Sequence, residues 1–152
     1  MSGHTRYDSI LVPTDGSAAA RTAVEHAISI AAANEADIQA VYVIDERVTM
    51  AATDQTRPEL TDTLRTEGEN ALATVEDVAA AADVSTTTHI QSGTPAKEIL
   101  DFADAANSDL IVMGNSGRTA REKLIRMGSV SERVADNATI PVLVVPYDKE
   151  SS

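Results

Sequence analysis

Short apolar runs alternate along this chain with longer stretches in which apolar residues recur every three or four positions. Continuous apolar runs are typical of strands buried on both faces of a sheet, and the longer spacing is typical of amphipathic helices. One further segment is mostly polar, which favours a strand at the edge of the sheet. The pattern predicts five strands, at Tyr7–Pro13, Ile38–Ile44, Thr86–Gln91 (the polar one), Leu110–Met113 and Val142–Val145.

Four helices are predicted between these strands. Ser17 and Thr94 are residue types that favour the N-cap, and proline is well tolerated in the first helical turn. The interval Asp45–Arg57 has no clear period and is predicted to be a loop, and Ser92–Pro95 is predicted to be a turn. The helices are expected at Ser17–Asn34, from Pro58 to about Ala82, from Pro95 to about Ala106, and at Ser129–Asn137.

The alternation of strands and helices predicts an α/β fold, an open, twisted, parallel sheet with helices on both faces. Ligands of such sheets bind beyond the carboxyl ends of the strands, where the strand order reverses. The loops with unusual chemistry follow the first and fourth strands, and placing these strands side by side gives the order 3-2-1-4-5. We expect one domain over residues 1–152, with flexible ends at 1–6 and 148–152.

Composition is that of a globular protein, with 43% hydrophobic residues and 3% aromatic residues. The chain has no cysteine, which excludes disulfides and thiolate chemistry. The polar start lacks the apolar core of a signal peptide, and no apolar run is long enough to span a membrane. We therefore expect a cytoplasmic protein.

The formal net charge is −12, from 24 acidic and 12 basic residues. This balance argues against binding to nucleic acid or to an anionic membrane. Acidic excess with only three lysines resembles proteins of salt-loving organisms; the alternative is an ordinary acidic cytoplasmic protein.

The segment after the fourth strand carries the strongest chemical signal. Gly114 and Gly117 are followed, after ten intervening residues, by Gly128 and Ser129. Glycine allows close backbone approach, and a helix amino terminus presents N–H groups and a positive dipole end to an anion. This arrangement predicts a phosphate site, although the standard P-loop and dinucleotide fingerprints are absent.

The charge of the same segment supports this interpretation. Four basic residues stand against one acidic residue, Glu122, and charge-assisted contacts favour phosphate. The alternative for each base is a solvated helix face. The bases are Arg118, Arg121, Lys123 and Arg126.

Metal and hydrolase signatures are absent. The three histidines, His4, His26 and His89, are scattered without ligand spacing, and no Gly-x-Ser-x-Gly elbow occurs.

Seven segments of the chain carry a further, joint pattern. They are Ile10–Asp15, Tyr42–Arg47, Gly93–Pro95, Asp109–Gly114, Gly117–Arg118, Gly128–Glu132 and Pro141–Pro146. Taken together, these motifs resemble the universal stress protein family in its ATP-binding branch. The resemblance covers nearly the whole chain and implies a Rossmann-like sheet of the adenine nucleotide alpha hydrolase type. It departs from the family pattern at one point, because ten residues rather than nine separate Gly117 from Gly128, and Ala120 stands where glycine is usual.

The resemblance implies ATP with Mg²⁺ as ligand. It places Asp15 near the phosphates and their metal and Val43 against adenine through its backbone. It also implies a homodimer formed through the last strand, Val142–Val145. The implied nucleotide-binding residues are Pro13, Thr14, Asp15, Val43, Met113, Gly114, Gly117, Arg118, Gly128, Ser129, Val130 and Ser131.

Three functions stay open at this point. The first is an ATP-binding regulatory module of the stress response. The second is a slow ATP hydrolase, for which Asp15 is the one plausible group to orient water. The third is an interaction protein of the same fold that binds no nucleotide, which the longer loop and Ala120 would favour.

Overall fold

The computed structural model, which describes residues 6–115 and 130–146, is built from alternating strands and helices. Its elements in chain order are β1 (Ser9–Pro13), α1 (Ala18–Asn34), β2 (Asp37–Asp45), α2 (Glu46–Ala51), α3 (Arg57–Ala81), β3 (Thr86–Gly93), α4 (Pro95–Ala105), β4 (Leu110–Gly114), α5 (Val130–Asn137) and β5 (Val142–Val145).

The strands form one parallel sheet in the order β3-β2-β1-β4-β5. The predicted fold class, strand order and edge position of β3 are therefore confirmed. β1 lies at the centre, paired from Ser9 to Pro13 with β2 and through Ile10 and Leu11 with β4. The order reverses at β1, so the carboxyl ends of β1 and β4 stand side by side.

Helices cover both faces of the sheet because successive strand residues point to opposite sides. Ile10 and Val12 of β1 pack with apolar residues of α1 and α3, in a core that includes Val24 and Val75. Leu11 packs on the other face with residues of α4 and α5. The core is aliphatic, as the scarcity of aromatic residues predicts.

One predicted loop is wrong in part, since residues 46–51 of the interval Asp45–Arg57 form the short helix α2. Asp45 is its N-cap, with Oδ1 accepting a hydrogen bond from the Arg47 N–H at 3.0 Å. The Asp45 carboxylate also pairs with the Arg47 guanidinium at 2.7 Å. Six residues are too few to show a helical period, so the apolar pattern does not predict this helix. The capping interactions of Asp45 stabilise it locally.

The predicted turn at Ser92–Pro95 begins two residues later than expected. Ser92 and Gly93 extend β3 by pairing with the last two residues of β2. Thr94 is the N-cap of α4 and Pro95 its first residue, as predicted. The chain ends predicted to be flexible fall, apart from Arg6, outside the described residues.

Candidate functional site

The candidate site is the carboxyl edge of the sheet around β1. The Thr14–Gly16 loop leaves β1 there, β2 runs past it on one side, and β4 ends on the other. In open α/β sheets this reversal point is where ligands bind.

The Thr14–Gly16 loop is fixed by its own hydrogen bonds. The Thr14 N–H donates to the Val41 carbonyl at 2.9 Å, and Thr14 Oγ1 accepts from the Gly16 N–H at 3.2 Å. Asp15 Oδ1 accepts from the Ser17 N–H at 2.9 Å, and Gly16 takes a φ of +80° that favours glycine. Asp15 is exposed, and its Oδ2 makes no hydrogen bond with the described residues.

The backbone N–H groups at the start of α1 are largely hydrogen-bonded to neighbouring side chains of the same segment. Ser17 caps the helix, since its hydroxyl accepts from the Ala20 N–H at 3.1 Å. The N–H groups of Gly16 and Ser17 are also taken. The first helix therefore forms a rigid wall of the site and offers few free N–H groups to an anion.

The backbone of Val43 faces the open side of β2. The pairing of β1 with β2 ends at Pro13 and Val41, whereas β2 continues to Asp45. Alternate strand residues direct their N–H and C=O groups to opposite edges, and the Val41 carbonyl faces the β1 side. Val43, two residues further, therefore presents its N–H and C=O beyond the end of β1.

Gly114 lets the end of β4 approach α1 closely, on the side of the site opposite β2. A Cβ at this position would lie 2.8 Å from the carbonyl carbon and oxygen of Ala19. The end of β4 thus touches the backbone of α1 with no space for a side chain. Met113, the preceding residue, is buried against the α4 and α5 face of the sheet.

Ser131 ties the start of α5 to the end of β4. It is 2% exposed, and its hydroxyl donates to the Asn115 carbonyl at 2.9 Å. The Asn115 N–H in turn donates to the Val145 carbonyl at 2.9 Å. Val130, the first described residue of α5, is half-buried beside this junction.

The structure thus brings most of the predicted residues to one edge, at Pro13, Thr14, Asp15, Val43, Met113, Gly114, Val130 and Ser131. The remaining predicted residues lie outside the described part of the chain. They are Gly117, Arg118, Gly128 and Ser129.

A feature that the sequence did not reveal is a cleft of about 470 Å³ between α1 and α3. The apolar period of α3 predicts that Ala71, Val75 and Val78 face inward, yet all three line the cleft and Val78 is 38% exposed. The full lining is Thr14, Asp15, Gly16, Arg21, Val24, Glu25, Glu67, Asn70, Ala71, Thr74, Val75 and Val78.

Tyr42 lies beneath this region, buried between β2 and α3. Burial raises the pKa of its phenol above the ordinary value, and the negative charges of Glu67 and Asp15 raise it further. Gly68 explains how the ring fits, because a Cβ there would stand 2.6 Å from Tyr42 Cδ1.

The described side chains give no sign of a metal cluster or of a membrane span. Across residues 6–115 and 130–146, no cluster of three or more histidine or carboxylate side chains is arranged to hold a metal ion. Nor do the helices of this part of the chain include one long and apolar enough to cross a membrane.

Comparison with known proteins places the chain in a family. The model of the universal stress protein family matches residues 6–146. A universal stress protein of Methanocaldococcus jannaschii is 40% identical over 150 residues, which cover 98% of this chain and 88% of that protein.

Solved structures agree with the family match. The universal stress protein UspA from Lactobacillus plantarum superposes with a TM-score of 0.77 at 31% identity, over 93% of this chain and 99% of that one. A universal stress protein crystallised in complex with cAMP gives a TM-score of 0.68 at 27% identity, over 95% and 100% of the two chains. The chain belongs to the universal stress protein family.

Proposed function

We propose that this protein is a cytoplasmic, ATP-binding regulatory module of the stress response, with the nucleotide in the crevice around the end of β1. The observation that carries the proposal is the free edge of β2, where the Val43 backbone stands beyond the end of β1. A family member that binds cAMP supports an adenine nucleotide as ligand.

The adenine site follows from the backbone of Val43. A strand edge with a free N–H and C=O pairs with a donor and an acceptor on one edge of a base, which adenine offers through its amino group and ring nitrogen. Pro13 and Thr14, at the end of β1, would line the other side of the base and ribose.

The residues around Asp15 fit a magnesium-bound polyphosphate. Mg²⁺ in nucleotide sites is usually held by one or two carboxylates together with phosphates and water. Asp15 supplies one exposed carboxylate oxygen that is not engaged with the described residues. The metal would neutralise phosphate charge at this edge.

The opposite wall would hold the ribose and phosphates. Met113 and Gly114 end β4 beside the β1 loop, and Val130 is the first described residue of α5. Ser131 positions this helix through its bond to Asn115. In the proposal Gly117, Arg118, Gly128 and Ser129 complete the phosphate site.

Nucleotide binding is tested by thermal unfolding with ATP and Mg²⁺, together with mass spectrometry for co-purified nucleotide. A ligand of the native state at 100 times its Kd stabilises by about 2.7 kcal/mol, so the melting temperature rises. Asp15→Asn should abolish the part of the ATP affinity that depends on Mg²⁺, because it removes the charged ligand. Asp37→Asn is the matched control, an exposed aspartate at the amino end of β2.

Three results would contradict or redirect the proposal. A melting temperature unchanged at millimolar ATP and Mg²⁺ would oppose nucleotide binding and favour the interaction protein. Equal binding of cAMP and ATP, with no effect of Mg²⁺, would oppose the triphosphate site. Steady phosphate release that Asp15→Asn abolishes would identify a hydrolase instead.

We further propose a homodimer formed through β5. This strand pairs with β4 and ends the sheet, and its central residue Leu143 is 38% exposed. An edge strand with an exposed apolar residue favours pairing with another chain.

A further inference from the structure

The cleft between α1 and α3 is a second surface with the properties of a binding groove. Its floor is apolar, formed by Val24, Ala71 and Val75, and it opens at one end onto the exposed Val78. Its volume of about 470 Å³ lies within the range of established ligand sites.

The groove is elongated along α3. The lining residues of that helix recur at three- and four-residue steps from Glu67 to Val78, which at 1.5 Å per residue spans roughly 16 Å, or three helical turns. An elongated apolar floor between two helices is the geometry that accepts an amphipathic helix through residues spaced three or four apart.

The rim of the groove is acidic. Asp15, Glu25 and Glu67 border it against a single base, Arg21. Glu25, Glu67 and Arg21 take part in none of the ion pairs found in the described ranges. Their charges are therefore available to a ligand.

We propose that this groove docks a basic amphipathic helix of a partner protein. Apolar side chains of that helix would cover Ala71, Val75 and Val78, and its lysines or arginines would face Glu25 and Glu67. Charge complementarity of this kind sets the orientation of a partner and speeds its association.

The test uses a fluorescent synthetic peptide of roughly three helical turns, with leucines at helical spacing and lysines elsewhere. The controls are a scrambled peptide of equal charge and a peptide with glutamate in place of lysine. Binding is followed by fluorescence anisotropy at physiological salt without nucleotide, so the outcome does not depend on the proposed ATP site. We expect the ordered peptide alone to bind tightly.

Two pairs of charge reversals localise the interaction. Glu25→Lys with Glu67→Lys reverses the rim and should weaken binding at least ~10-fold. Glu69→Lys with Glu76→Lys changes the net charge of the chain equally, on α3 positions outside the cleft lining, and should leave the affinity within about twofold. Circular dichroism is the check that both variants are folded.

A variant that fills the groove tests the proposal independently of the charge reversals. Thr74 is exposed and lines the cleft, so Thr74→Trp should block the peptide without disturbing the buried core. Equal losses in both charge-reversed variants, or equal binding of the scrambled peptide, would overturn the proposal. Displacement of the peptide by spermine at equal concentration would indicate that the groove binds a small polycation. A change of oligomeric state in Thr74→Trp would indicate that it binds a second copy of this chain. Either result would also overturn the proposal.

Discussion

At the scale of single residues, two glycines allow elements to pack more closely than a side chain would permit. Gly68 stands in the middle of α3, where sequence alone assigns it a cost of about 1 kcal/mol relative to alanine. The structure explains why glycine stands at this position, because the Tyr42 ring occupies the space that a Cβ would need. The same holds for Gly114 against the backbone of Ala19.

Gly68→Ala should therefore lower the free energy of unfolding, although helix propensity alone predicts a gain of about 1 kcal/mol. The new methyl group would stand 2.6 Å from Tyr42 Cδ1, and overpacking of a buried site costs about 1–3 kcal/mol. Urea unfolding of the two proteins measures the difference.

A double-mutant cycle with Tyr42→Ala checks the cause. Removing the ring leaves room for the methyl group, so Gly68→Ala should become stabilising in that background. A stabilising effect of Gly68→Ala in the presence of Tyr42 would show that the contact does not matter.

At the scale of elements, caps fix where helices begin, and the structure separates two that look alike in sequence. Ser17 caps α1 by accepting a hydrogen bond at its hydroxyl from the Ala20 N–H. Thr94 occupies the N-cap of α4 but makes no such bond. The difference concerns side-chain orientation, which residue type alone does not determine.

Ser17→Ala should destabilise the protein by about 1 kcal/mol, and Thr94→Ala should change it by much less, because only the first removes a capping bond. Thermal unfolding of both variants gives the comparison. Equal losses in the two variants would contradict the assigned roles of the hydroxyl groups.

Strands and long helices could be predicted because their apolar period extends over many residues. α2 could not, since six residues held by Asp45 and Arg47 show no period. The backbone role proposed for Val43 cannot be predicted from the apolar pattern either, because it depends on β2 continuing past the end of β1. The family resemblance supplied that residue, and the register supplies a physical reason for it.

At the scale of the whole molecule, the strand order followed from the chemistry of two loops. Placing the loops after β1 and β4 in one crevice required those strands to be neighbours, and they are. The cleft could not be predicted in this way, because it depends on how α1 and α3 pack against each other on one face of the sheet. Helix angles reflect side-chain packing over many contacts rather than any local motif.

The proposed dimer makes a prediction at this scale. Leu143→Glu introduces a charge at the centre of β5 and should convert a dimer to a monomer by removing apolar contact at the sheet edge. Light scattering coupled to size-exclusion chromatography measures the mass.

Val48→Glu is the matched control, since Val48 is 42% exposed on α2, away from β5, compared with 38% for Leu143. The control should leave the mass unchanged. A dimer that survives Leu143→Glu would place the interface elsewhere.

The Thr14–Gly16 loop has one more consequence, because it lies at the proposed nucleotide site and also lines the cleft. Two ligands that share a boundary are thermodynamically linked, and each changes the affinity of the other by the same factor. The magnesium complex of ATP is still an anion, so its binding beside Asp15 would add negative charge to the acidic rim, and nucleotide and basic partner would favour one another. The protein would then report nucleotide level by holding its partner more tightly, with no movement of the sheet.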